Sequence, residues 1–167
     1  MNNYYTKYLA LLPLFILLQI LVLNEILFFS YINPYLYLTL IISLPFKTPK
    51  WFLLLYAFFL GILIDIFTGS IGFHSTATVF IAFIKNSVSK ITIPHNILED
   101  TDEITANKIG SKAFIIFSFI IILMHNVILF GLEHLHLNFQ ILSKIIASSI
   151  ITLILILILE IFKSSKK

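Results

Sequence analysis

Apolar residues in this chain fall in long runs that are hydrophobic at both parities, as in Leu9 to Leu23 and Ile150 to Leu159. A membrane-barrel strand would alternate apolar and polar positions instead. In lipid every backbone N–H and C=O has to be paired within the protein, which leaves helices as the spanning element for runs of this kind. The pattern predicts six spans, at about 9–29, 35–46, 51–67, 73–93, 113–132 and 139–162. Turn chemistry separates them. Asn33-Pro34 interrupts the first pair, because the residue before proline is pushed out of the helical region. Lys47-Thr48-Pro49-Lys50 forms a basic loop, followed by Trp51 as an interfacial anchor. Thr68 to Gly72 is a tight turn, and Pro94 stops the fourth helix. The second segment is short for a span and is expected to borrow part of the preceding turn or to cross a thinned bilayer.

Composition turns these runs into a class. Of 167 residues, 59% are hydrophobic and 11% are charged, against about 25% charged in soluble domains; mean hydropathy is +1.03. There is too little polar surface to cover a globule in water, so the chain is expected to be an all-α integral membrane protein. The run from Leu9 to Phe29 resembles a signal peptide, but its apolar core is too long and no small-x-small site follows, which predicts an uncleaved first span. The only substantial hydrophilic stretch is His95 to Lys112, with Glu99, Asp100, Asp102 and Glu103 followed by Lys108 and Lys112. The absence of cysteine excludes disulfides, thiolate metal sites and cysteine nucleophiles.

The eleven basic residues are all lysines, and their placement orients the spans. With six crossings both termini share a side, and every lysine except Lys144 falls on it. The excess of positive charge on the cytoplasmic side then puts the termini, the Lys47–Lys50 loop and the 95–112 loop in the cytoplasm. A net charge of +3 spread over several loops fits topology control and not nucleic-acid binding.

Gly61 to His74 reads G-I-L-I-D-I-F-T-G-S-I-G-F-H, an acid near the end of an apolar run followed by two turn glycines. Two readings of Asp65 stand side by side: a buried acid that binds a partner or orders the turn, or an interfacial acid whose carboxylate reaches water. Gly69 and Gly72 are expected to serve the turn through positive φ or close backbone approach. On the predicted topology Asn24, Glu25, Asp65, His74, His125, Asn126 and Glu133 all fall in the leaflet away from the cytoplasm, forming one polar layer in which Asp65 and His125 are candidate partners. His125-Asn126 is either a ligand contact or, the blander option, a histidine bonded across helices. His134 and His136 are two apart and face different ways on a helix, so no metal site is expected.

No nucleophile elbow, Walker loop, paired-carboxylate site or nucleotide fingerprint is present, and no catalytic residue or cofactor is expected. The order of features resembles the rod shape-determining protein MreD family. The carrying residues are L-L-Q-I-L-V-L-N (Leu17 to Asn24), Asn33-Pro34, T-P-K-W (Thr48 to Trp51), the Gly61 to Thr78 stretch with its D-I-F-x-G-x-x-G-x-H core, M-H-N (Met124 to Asn126) and L-E-H (Leu132 to His134). The resemblance implies a six-helix fold similar to the substrate-binding subunits of energy-coupling-factor transporters, in the bacterial cytoplasmic membrane. It implies a non-enzymatic scaffold of the elongation machinery, with MreC, MreB, RodA and a penicillin-binding transpeptidase as partners and membrane lipids around it. Asp65, Gly69, Gly72 and His74 are its motif positions, expected to shape the helix pair and a groove. The alternative is a membrane protein that binds a small molecule or lipid, as a transporter's substrate-binding subunit does.

Overall fold

A computed structural model describes residues 3–24, 32–70, 72–134 and 138–164. Among them every regular element is helical. The order is α1 (Asn3–Leu18), which continues as a π-helical turn (Gln19–Leu23), then α2 (Leu38–Ser43), α3 (Lys50–Thr68), α4 (Phe73–Thr92), α5 (His95–Asp100), α6 (Ala106–Ile109), α7 (Ser111–Glu133) and α8 (Phe139–Ser164). Among the described residues four helices are long and apolar enough to cross a membrane: α1 with its π turn, α3, α7 and α8. The predicted end of the first span, including Glu25, lies outside the described residues, as does His136.

The remaining two predicted spans differ from these four, each for a physical reason. α4 is as long as α3, but the face it buries is polar, with His74, Ser75, Thr78, Lys85 and Ser89 all enclosed. α2 has only six residues, about 9 Å of helix at 1.5 Å per residue, far short of a span. Within the second expected span, 35–46, the regular helix is thus short and lies inside the bundle, where residues 34–45 are all buried. Hydropathy reports an apolar environment without distinguishing lipid from protein interior.

Burying so short a helix strands the backbone groups at both its ends, which have no intrahelical partners. Side chains from the surrounding helices take them up. At the entry, Leu36 N–H donates to Gln19 Oε1 (3.0 Å), Gln19 Nε2 donates to Pro34 O (2.8 Å), and Tyr35 N–H donates to Thr152 Oγ1 (3.0 Å). At the exit, Ser43 O accepts from Tyr8 Oη (2.8 Å) and from Ile104 N–H (3.1 Å), while Leu44 O accepts from the fully buried Lys85 Nζ. Irregular backbone at membrane depth is tolerated only where protein encloses it in this way. Lys85, counted from sequence among the lysines that orient the chain, thus serves the interior.

α3 and α4 form the tightest pair. Ala57, Gly61 and Asp65 recur every four residues and share one stripe of α3, facing Ser75, Thr78 and Ala82 of α4. A Cβ on Gly61 would overlap the Cα of Ser75 and Oγ1 of Thr78 and lie 2.7 Å from Ser75 N. Small residues let two helices approach this closely in a membrane. The opposite face of α3 carries exposed Leu55, Phe58, Phe59, Ile66 and Phe67, which fits contact with lipid. α4 also packs on α7, and α7 on α8. At the lysine-bearing end Lys7 pairs with Glu103, and Glu160 of α8 accepts Ala106 N–H (3.1 Å) while pairing with Lys163 (2.8 Å).

Candidate functional site

The motif stretch forms the opposite end of the bundle. Gly69 ends α3 with φ 69° and Gly72 precedes α4 with φ 76°, both in the left-handed region that other residues enter at a cost. This double reversal folds the start of α4 back over Asp65. The carboxylate is 2% exposed and accepts three hydrogen bonds: His74 N–H on one oxygen (2.9 Å), Ser75 N–H on the other (2.9 Å), and Ser70 Oγ (2.6 Å). The two backbone donors belong to the first turn of α4, where no intrahelical acceptor exists. Asp65 therefore caps a neighbouring helix, and its negative charge meets the positive end of that helix's dipole. Of the two sequence readings, the turn-ordering acid describes this geometry, and the solvent-reaching carboxylate does not.

A second network runs inward from His74. Tyr37 Oη lies 2.9 Å from His74 Nδ1 and 2.9 Å from His125 Nε2. His125 Nδ1 is 3.2 Å from Asn126 Oδ1, Asn126 Nδ2 donates to Ser149 Oγ (2.8 Å), and Ser149 Oγ donates to Ile145 O (2.7 Å). Its direction follows from the last bond, since a backbone carbonyl only accepts. Ser149 spends its proton on Ile145 O and accepts from the Asn126 amide, so Asn126 turns its oxygen to His125. His125 then carries its proton on Nδ1 and receives the Tyr37 hydroxyl on Nε2. The tyrosine oxygen, its own proton committed, accepts from His74 Nδ1. In the neutral ring His74 Nε2 is left as a lone-pair acceptor. These tautomers are assigned from the network itself.

The free side of His74 opens on a cleft of about 400 Å³ between the α3–α4 turn, the 33–35 segment, Asn24 and the end of α7. Thr68, Ser70, His74, Asn33 and Glu133 line it. Tyr35 walls it from the inner network, its ring centroid 5.7 Å from that of His74 and 5.4 Å from that of His125.

Of the polar residues expected to share a layer, Asn24, Asp65, His74, His125, Asn126 and Glu133 lie at this end of the bundle, with pairings other than those expected. Asp65 and His125 are not partners; the expected bond is replaced by Asp65 on the His74 backbone and by Tyr37 between the two imidazoles. His125 and Asn126 are fully buried and bonded across to α8 through Ser149, the bridging-histidine option. Asn24 accepts from Gln19 (2.9 Å), and Glu133 sits on the cleft rim with His134 3.9 Å away. Tyr37, Gln19, Ser149 and Thr152 were not singled out from the sequence. The available signal was a polar atom inside an apolar run, which in lipid demands a partner.

No family model, curated protein or solved structure matches the chain.

Proposed function

We propose that this protein is a non-enzymatic membrane scaffold of the bacterial elongation machinery, a member of the MreD family, supporting rod shape and lateral peptidoglycan synthesis by linking MreC, MreB and the cell-wall synthases. One observation carries the reading. The residues behind the resemblance are consumed in holding the bundle together: Asp65 caps α4, Gly69 and Gly72 make the turn, and His74, His125 and Asn126 form one bonded chain across α4, α7 and α8. A motif used this way maintains a shape, which is what a scaffold contributes. On the lysine distribution, the lysine-bearing end faces the cytoplasm and the hairpin end the outer leaflet. In this proposal the short buried α2 counts as the second of six membrane segments, in a fold similar to the energy-coupling-factor substrate-binding subunits.

Depletion in a rod-shaped host tests the function. Cells are expected to widen and round as the protein is lost, and the tagged protein is expected to recover MreC and the synthases from gently solubilised membranes. Rods of unchanged width after depletion, with no such recovery, remove the proposal.

A further inference from the structure

We propose that the cleft at the hairpin end binds a primary ammonium or guanidinium group through several N–H donors at once. The protons in its wall already point away from it, and this is independent of any scaffold role.

Ser70 gives its proton to Asp65 Oδ1 (2.6 Å), because a carboxylate can only accept. Thr68 lies 2.8 Å from both Ile64 O and Ser70 Oγ, so its single proton is also directed into the wall. Both hydroxyls therefore show lone pairs to the cleft. His74 is 9% exposed, its Nδ1 proton goes to Tyr37, and its Nε2 has no partner among the described residues. Asn33 Oδ1 is buried and likewise unpartnered. Glu133 adds a carboxylate at the rim, and among the described residues no lysine lines the site. These acceptors line one space of about 400 Å³, within the size range of small-ligand sites, and one of them, Asn33 Oδ1, is buried without a partner, which is costly. A cation carrying several N–H groups answers every one of these features. An anion answers none of them, and a quaternary cation answers only the charge.

Two sources present this group: the ethanolamine head of a lipid, or a soluble amine or a lysine or arginine side chain of a partner. The chain, with ¹⁵N-labelled histidine, is placed in phosphatidylcholine nanodiscs and titrated with propylammonium chloride. The His74 Nε2 resonance is expected to move saturably, and Glu133→Gln is expected to weaken the apparent affinity about tenfold. Tetramethylammonium chloride and sodium propionate at the same concentrations are the controls expected to leave it in place. Replacing phosphatidylcholine with phosphatidylethanolamine then assigns the source. Movement without added amine identifies the lipid head; a response to propylammonium alone identifies the solute or side chain. Glu133 has a half-exposed side chain 3.9 Å from His134, so its variant is expected to keep the parent's circular dichroism melt. Silence toward both propylammonium and phosphatidylethanolamine, or an equal response to propionate, overturns the proposal.

Discussion

Replacing Asp65 by alanine removes the acceptor for two backbone donors, His74 N–H and Ser75 N–H, and for the Ser70 hydroxyl. Ser70 is partly exposed and can turn to another acceptor; the two amides, fixed in the first turn of α4, cannot. Hydrogen bonds to a charged group are worth about 1.5–3 kcal/mol each net. Deleting an ordinary N-cap costs about 0.5–2 kcal/mol, and this cap serves two donors from a buried position. The expected loss is therefore about 3 kcal/mol, the low end of two charge-assisted bonds. Asp65→Asn keeps one acceptor oxygen but turns an NH₂ toward the other amide, so about 2 kcal/mol is expected, mainly one lost charge-assisted bond. Ile66→Ala, on the exposed face one residue away, is the control and should stay within about 0.5 kcal/mol.

Unfolding by dodecyl sulfate in mixed micelles, followed by circular dichroism, ranks the three variants. Hydrogen exchange supplies the local readout: the His74 and Ser75 amides should exchange about a hundredfold faster in Asp65→Ala, since each 1.4 kcal/mol is a factor of ten. An alanine variant within about 0.5 kcal/mol of the parent, a spread no larger than that of ordinary surface changes, would refute the capping argument. So would unchanged protection of those two amides, whatever the global stability.

Tyr37→Phe should strand His74 Nδ1–H and His125 Nε2 together, costing about 2–6 kcal/mol at about 1–3 per unsatisfied buried group; ¹⁵N spectra of the parent should show His125 protonated on Nδ1, and an Nε2–H tautomer there would reverse the deduced direction. Gln19→Leu removes both the donor to Pro34 O and the acceptor of Leu36 N–H, so a loss of about 2–6 kcal/mol is expected in the same unfolding assay, although the substitution raises hydropathy. Gly61→Leu should separate α3 from α4 and cost at least the ~1–3 kcal/mol typical of overpacking in the same unfolding assay.

The four long apolar helices were legible because their hydrophobicity is continuous over at least eighteen residues, a length only a membrane or a large core requires. The turn at Gly69 and Gly72 was legible for a similar reason: two glycines bracketing a break in an apolar run have few other uses. Pairing was a different matter. Asp65 and His125 were candidates for each other because both are titratable and were placed in one leaflet, an argument from depth alone. Depth does not fix azimuth. The turn aims the carboxylate along α3 onto the end of α4, while His125 faces inward to Tyr37 on a segment that had been read as a separate span. The every-four spacing of Ala57, Gly61 and Asp65 was present in the sequence and marks the side of α3 that meets α4. Joined to the capping rule, it points the acid at its neighbour.

The short second segment also accounts for much of the polar chemistry buried at membrane depth. Had residues 35–46 formed a full spanning helix, its backbone would have paired with itself, leaving Gln19, Thr152, Tyr8 and Lys85 as four unrelated polar atoms at membrane depth. Because α2 is only six residues long, it exposes unpaired carbonyls and amides inside the bundle, and each of these side chains meets one of them. The same short element carries Tyr37 to the one place where its hydroxyl can join His74 to His125. Length and polarity are thus linked: a half-length helix at membrane depth needs polar neighbours in proportion to its loose ends. Polar residues scattered singly through several apolar runs therefore point to one enclosed, interrupted segment that they jointly serve, before they point to a ligand. Among what remains after that accounting, His74 and Asn33 line one cleft with Glu133 at its rim, and their unpartnered acceptors are chemistry that the fold does not consume.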